Sequence, residues 1–309
     1  MKNKSIGPRA LLRLALCGLL AAVTLPTASR AETPVALDFG ITPSHGGIWA
    51  ETFSTMDDDA AGILRFPLDH PKAVSTALLG VGLLVLVDRP VTQFYQQHIE
   101  RAFDGFSLPE LPWEQPFRKL GLAREDVWLV SGIGASYAYG AVTGDERSRR
   151  AALLSSKAML YSFVTTQVVL KTVTSRMRPC KDLSVADCSD STFTNNPLDF
   201  GNYHGVSLSP DGFGTSMPSF HFTNYFAVAR VYSGVYDDSW VPYGVAGLLS
   251  VSNIRGHNHW VSDMAAGALV GVAIGSVVLK NSDSYRAGHF TAVPYASPDS
   301  VGVTISTKF

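Results

Sequence analysis

Cysteine is scarce in this chain of 309 residues, three in all, and the formal charge nearly cancels at −1. Near neutrality leaves no overall field to draw nucleic acid, so any affinity for an anion has to come from local clustering of basic side chains. No internal repeat is visible. One cysteine, Cys17, sits inside an N-terminal apolar stretch close to Arg13 and follows Leu16 rather than a small residue, which argues against lipid attachment. The other two, Cys180 and Cys188, share a polar loop, and an even pair in an oxidising compartment points to a disulfide. A two-cysteine metal site would need other ligands at suitable spacing nearby, and the loop lacks them.

Hydrophobic residues make up 46% of the chain, enough to bury a sizeable core in one large domain or two at most. Lys2, Lys4, Arg9 and Arg13 precede an apolar stretch from Leu14 to Leu25, and Ser29-Arg30-Ala31 closes it, the pattern of a cleavable secretory signal over 1–31. The stretch is short for a full membrane span, although a retained anchor is the alternative. Residues 32–70, with the acidic run Asp57-Asp58-Asp59, are expected to wrap the main body.

Helices are expected over 73–87, closed by Asp88-Arg89-Pro90, then over 91–106, from Asp126 to Val142 and from Arg147 to Arg176, the last stopped by Pro179. Further helices are expected over Ser219–Tyr232, Val241–Ser252 and Trp260–Leu279. Residues 107–124 read as a Pro-rich connection, and 180–217 as a long polar loop of a kind that is usually functional or disordered. The fold class is therefore mainly α: a bundle of about six core helices over 71–281, then a short β-hairpin or tail over 282–309. There Val301, Val303 and Ile305 alternate with smaller or polar neighbours after a turn at 297–300. Phe309 at the end of such a strand also fits an outer-membrane barrel, but two strands cannot close one.

Three blocks carry candidate chemistry. Lys171 and Arg178 are seven residues apart, nearly two helical turns, so on one helix they share a face and converge on an anion. Pro218-Ser219-Phe220-His221 opens an apolar helix, where Ser219 is a good N-cap, first-turn N–H groups attract an anion, and His221 could protonate a leaving oxygen. In Ser252-Asn253-Ile254-Arg255-Gly256-His257-Asn258-His259-Trp260-Val261-Ser262-Asp263, His259 and Asp263 are four apart. On a helix the carboxylate can hold one ring nitrogen and leave the other to attack. A metal held by His257, His259 and Asp263 is the competing reading, with no further ligand cluster evident in support.

Taken together, Lys-x6-Arg-Pro, Pro-Ser-x-His and a final His-x3-Asp resemble the type 2 phosphatidic-acid phosphatase superfamily, which also includes bacterial acid phosphatases and vanadate-dependent haloperoxidases. The resemblance covers roughly 70–280. It implies that His259 becomes a phosphohistidine, that Asp263 orients it, and that His221 protonates the leaving alcohol. Lys171, Arg178 and the Ser219-Phe220 turn would hold the equatorial oxygens, with no metal or other cofactor. One departure stands out: the family pattern puts arginine directly after the serine, where this chain has Asn253. Arg255, four residues before His259 and followed by Gly256, is expected to do that work.

The implied activity is metal-independent hydrolysis of a phosphate monoester or pyrophosphate, on a phosphorylated lipid or a small soluble ester. A haloperoxidase using vanadate is one alternative, and a noncatalytic anion-binding envelope protein is another. With the signal cleaved, spans at 73–87, 126–142 and 151–175 would leave Arg178 and both cysteines in the cytoplasm. That, with a mean hydropathy of only +0.13, favours a periplasmic helical domain, free or membrane-associated. An integral membrane protein with a periplasm-facing site is the other reading.

Overall fold

A computed structural model describes residues 47–119, 121–185, 188, 190–203, 205–206, 212–252, 254–256, 258–288, 291–297 and 300–306. The expected export signal over 1–31 and the first part of the wrapping segment lie outside the described residues. Within them the protein is mainly α, as its apolar periodicity predicts.

Two helices, α1 (Gly47–Ser54) and α2 (Met56–Asp69), occupy the rest of the segment expected to wrap the body. Next come α3 (Pro71–Leu86) and α4 (Asp88–Phe94), the latter running on as a π-helical turn over Tyr95–Glu100. The chain bends by 75° between them. A short helix, α5 (Glu114–Lys119), interrupts the Pro-rich connection, where a continuous loop was expected. Then α6 (Arg124–Thr143) ends at Gly144, whose φ of 79° suits glycine, and Asp145 caps α7 by accepting from the amides of Arg147 and Ser148 at 3.2 and 3.3 Å.

Helix α7 (Glu146–Thr174) passes through a π segment at Phe163–Leu170. The last three helices are α8 (Phe220–Tyr236), α9 (Trp240–Val251) and α10 (Val261–Gly288). α10 continues past 281, where the helical domain was expected to stop. Two strands, β3 (Thr291–Ser297) and β4 (Ser300–Ser306), follow the two-residue strands β1 (Arg178–Pro179) and β2 (Phe193–Thr194) in chain order and pair antiparallel as the expected C-terminal hairpin. Phe309 lies outside the described residues.

Helix α8 is the central element, packed against α7, α9 and α10. Leu154 on α7, Val231 on α8 and Ile274 and Val278 on α10 are buried together, each contributing on the order of 1.5–3 kcal/mol. The close approach of α8 and α10 depends on glycine. A Cβ at Gly267 or Gly275 would stand 2.5 or 2.7 Å from the carbonyl oxygens of Ser219 and Ala227, and Gly271 between them abuts the Thr223 carbonyl. Glycines at i, i+4 and i+8 thus bring the start of α10 against the start of α8. α7 runs antiparallel to α10, so its Lys171 end meets that same junction.

Two described helices are long and apolar enough to cross a membrane, Glu146–Thr174 and Val261–Arg286, and the bent pair α3–α4 would count as a third. The 126–142 segment, counted above as a possible span, is not one of them.

Candidate active site

Lys171 and Arg178 do converge, but not on a helix face as expected. Residues preceding proline disfavour the α conformation, and the helix does not extend to Arg178. α7 stops at Thr174, and Ser175 turns into a left-handed conformation with φ 42°. Arg178 then lies on β1, which pairs parallel with β2. The long polar loop is sewn onto this segment: Met177 N–H donates to Asp199, Cys180 N–H to Thr194, Ser216 N–H to Arg176 and Asn202 N–H to Ser175. The Cys180–Cys188 disulfide, with Cα atoms 5.4 Å apart, closes its first part.

His259 also lies off the helix, two residues before α10 begins, whereas Asp263 occupies the first turn. The pair still meets, because the Asp263 carboxylate folds back as a cap and accepts the Trp260 N–H at 3.1 Å. Its Oδ2 stands 3.6 Å from His259 Nδ1. On the other side of the ring, Nε2 stands 3.5 Å from Arg178 Nη1, and that guanidinium also donates to the carbonyls of Asn258 and Thr215.

Behind Asp263 lies a fully buried network. Arg176 donates through Nη1 to Asp263 Oδ1 at 2.6 Å and to Ser262 Oγ at 2.7 Å, and through Nη2 to Asp88 Oδ2 at 2.9 Å. Ser216 Oγ donates to Asp263 Oδ2 at 2.5 Å. Asp88 also accepts from Thr92 Oγ1, from the Ser262 amide and from the Ser262 hydroxyl. Trp260, buried completely, donates its indole N–H to the Met177 carbonyl and lies 5.2 Å from the Arg176 guanidinium. One guanidinium thus bridges two buried carboxylates, a geometry that lysine could not reproduce.

The second block arrives through α8. Ser219 takes the N-cap position, but its side chain caps nothing. Its amide instead donates to the Asp263 carbonyl at 3.0 Å, and its fully buried hydroxyl makes no hydrogen bond. Phe220 packs edge-on against Phe163 at 5.9 Å. His221 is buried, with Nε2 3.3 Å from Asp126 Oδ2 on α6. Lys171, buried at the last turn of α7, adds its charge to the surroundings of His259.

Burial pushes the His259 imidazole well below its ordinary value of 6.5, and the positive charges of Arg178 and Lys171 push in the same direction against the pull of Asp263. The ring is therefore neutral at physiological pH, and a neutral ring with Nδ1 facing a carboxylate has its lone pair on Nε2. A neutral imidazole with a ring-nitrogen lone pair facing away from the carboxylate is chemically capable of nucleophilic attack.

Residues 152–285 match the model of the PAP2 superfamily. That segment belongs to this superfamily. It contains Lys171, Arg178, Ser219, His221, His259 and Asp263. A further match is to a lipid A 1-phosphatase of Porphyromonas gingivalis, 31% identical over 99 residues, 30% of this chain and 22% of that protein. The chain thus matches under a quarter of that relative's length. No solved structure matches the chain.

Several residues of the candidate site went unseen in the sequence. Arg176 hid in Arg-Met-Arg-Pro beside the more conspicuous Arg178; the doubled arginine before proline was the available signal. Asp88 read as a helix stop, and only the fold carries it to Arg176. Asp126 read as a helix start, and Ser216 gave no signal of its own. Asn253, His257 and the Arg255 side chain lie outside the described residues, as do the expected roles of Asn253 and Arg255 and the metal site that would have used His257. Among the described residues no group of three or more His, Cys, Asp or Glu side chains is arranged to hold a metal ion.

Proposed function

We propose that this protein is an exported, membrane-associated phosphatase that removes phosphate from a lipid phosphate monoester or pyrophosphate through a phosphohistidine at His259. The observation that carries the reading is the setting of His259, a buried neutral ring with Asp263 behind Nδ1 and Arg178 beside Nε2. Nε2 attacks phosphorus as the P–O bond to the alcohol breaks, and His221 gives its proton to the departing oxygen. In the second step His221 takes a proton from water, whose oxygen attacks phosphorus as the P–N bond breaks. Arg178, Lys171 and the Ser219 hydroxyl hold the equatorial oxygens, where preorganised donors in a dry site are worth most. The chemistry uses side chains alone, without metal or other cofactor.

A lipid substrate is favoured by the relative named for lipid A and by the outward apolar surface. Leu78, Leu79, Leu83 and Leu86 on α3 are 57–68% exposed, and Trp240 and Val241 on α9 are 90% and 65% exposed. Apolar patches of this kind mark surfaces that meet lipid or protein. The disulfide favours an oxidising compartment such as the periplasm.

Phosphate release from a long-chain alkyl phosphate in detergent micelles tests the reading. The full chain releases phosphate, vanadate inhibits it, and Lys171→Ala and Arg178→Ala each lower kcat/KM on the order of 10²–10³-fold. A folded protein that releases no phosphate from any ester, or halide oxidation that depends on added vanadate, would sink the proposal.

A further inference from the structure

The PAP2 match covers residues 152–285 and so leaves out α6. Yet α6 supplies a carboxylate close to His221, the side chain that handles protons in the reading above, on which this inference rests. Asp126 sits in the first turn of α6, where its Oδ2 accepts the Ala123 N–H at 3.2 Å, a cap that fixes the carboxylate relative to the helix. The same oxygen stands 3.3 Å from His221 Nε2, and both side chains are nearly buried. Glu125, the adjacent residue, turns elsewhere and accepts from Ser252 Oγ at 2.8 Å, so the two neighbouring carboxylates have separate tasks. Tyr225, one turn beyond His221, has its phenol pushed far up by burial and then by the charges of Asp126 and Glu125. Its hydroxyl stays protonated and does not compete for the proton.

We propose that Asp126 is the positioning residue of His221: it holds Nε2–H, fixes the ring, and leaves Nδ1 to exchange the proton with the leaving alcohol and then with water. When Nδ1 is protonated the ring is an imidazolium, and the carboxylate balances it. When the leaving oxygen has taken that proton, the Asp126 hydrogen bond keeps the neutral ring in the Nε2–H tautomer, ready to receive a proton from water. This is the arrangement of His259 and Asp263 repeated for the second histidine, with the nitrogens exchanged.

Leaving-group dependence separates this role from a structural one. An alkyl alcohol leaves only with a proton, whereas p-nitrophenolate leaves without one. In the full chain in micelles, Asp126→Asn, which can still cap α6, should lower kcat/KM for hexyl phosphate by about 10²-fold and for p-nitrophenyl phosphate by less than about 5-fold. Adding it to His221→Ala should cost nothing more. Equal losses on both esters, or additive losses in the double variant, overturn the inference while leaving the phosphatase reading intact. Loss of that reading itself, seen as wild-type protein inert on both esters, overturns the two together. Should Asp126→Asn not fold, ¹⁵N NMR of wild-type histidines decides, with His221 assigned by its loss in His221→Asn. The neutral ring should carry its proton on Nε2, and a proton on Nδ1 overturns the inference.

Discussion

Buried charge occurs at both ends of the α7–α10 pair, and the two ends use it differently. Away from the site, Lys157 on α7 lies 2.6 Å from Asp59 of α2, and Asn281 of α10 donates to the same carboxylate at 2.9 Å. Nearby, Arg150 ties Glu51 of α1 to Ser282 and Asp283 of α10 at 2.6–2.9 Å. These groups close on one another, and the result is a clasp between the N-terminal helices and the bundle. At the site, Arg176, Asp88, Asp263 and Ser216 are bound just as tightly, but the network ends on an imidazole with looser contacts, 3.6 Å to Asp263 and 3.5 Å to Arg178. A rigid frame behind a loosely held imidazole is what the proposed phosphohistidine step would need, since catalytic hydrogen bonds often tighten only when substrate is bound.

The sharpest way to break the comparison is to cut each network at its cation. Arg176→Ala should lower kcat on the order of 10³-fold, and Arg176→Lys should recover little, because an ammonium cannot bridge Asp263 and Asp88. Steady-state phosphate release on protein of verified fold reads this out, and a kcat within threefold of wild type would show that Arg176 only supports the fold. Lys157→Met should instead leave kcat per folded molecule unchanged while lowering stability by about 3–5 kcal/mol, because Asp59 is left buried without its cation. Denaturant unfolding and active-site titration measure the two sides of that prediction.

The smallest effect is in the response to acid. His259 has an unfolded-state value near 6.5 and a folded one well below it, so unfolding takes up a proton between the two. Stability contributed by this group is fully present above 6.5 and is lost as pH falls from there towards the folded value. Unfolding free energies at pH 7.5 and 5.5 should therefore differ less in His259→Gln than in wild type. An unchanged difference would place the titration elsewhere.

The helical class and the candidate site residues could be picked out in the sequence because both depend on local pattern: apolar periodicity for the helices, and short spacings for Pro-Ser-x-His and His-x3-Asp. The supporting frame was not. Asp88 and Asp126 meet Arg176 and His221 across 88 and 95 residues of chain, and nothing in the composition of their own segments distinguishes them from helix-boundary acids. Arg178 stood out as a candidate while its placement did not, since candidacy follows from Arg-Pro but position follows from the turn at Ser175. The role of Gly267, Gly271 and Gly275 emerged only with the carbonyls of α8 that they admit.

Trapping the intermediate tests the central claim most directly. Full-length protein mixed with a ³²P-labelled phosphate ester and quenched within milliseconds should carry label that is stable to base, labile to acid, located on His259 by peptide mapping and absent from His259→Ala. Phosphate released at the wild-type rate by His259→Ala, or label recovered on any other residue, would contradict the account.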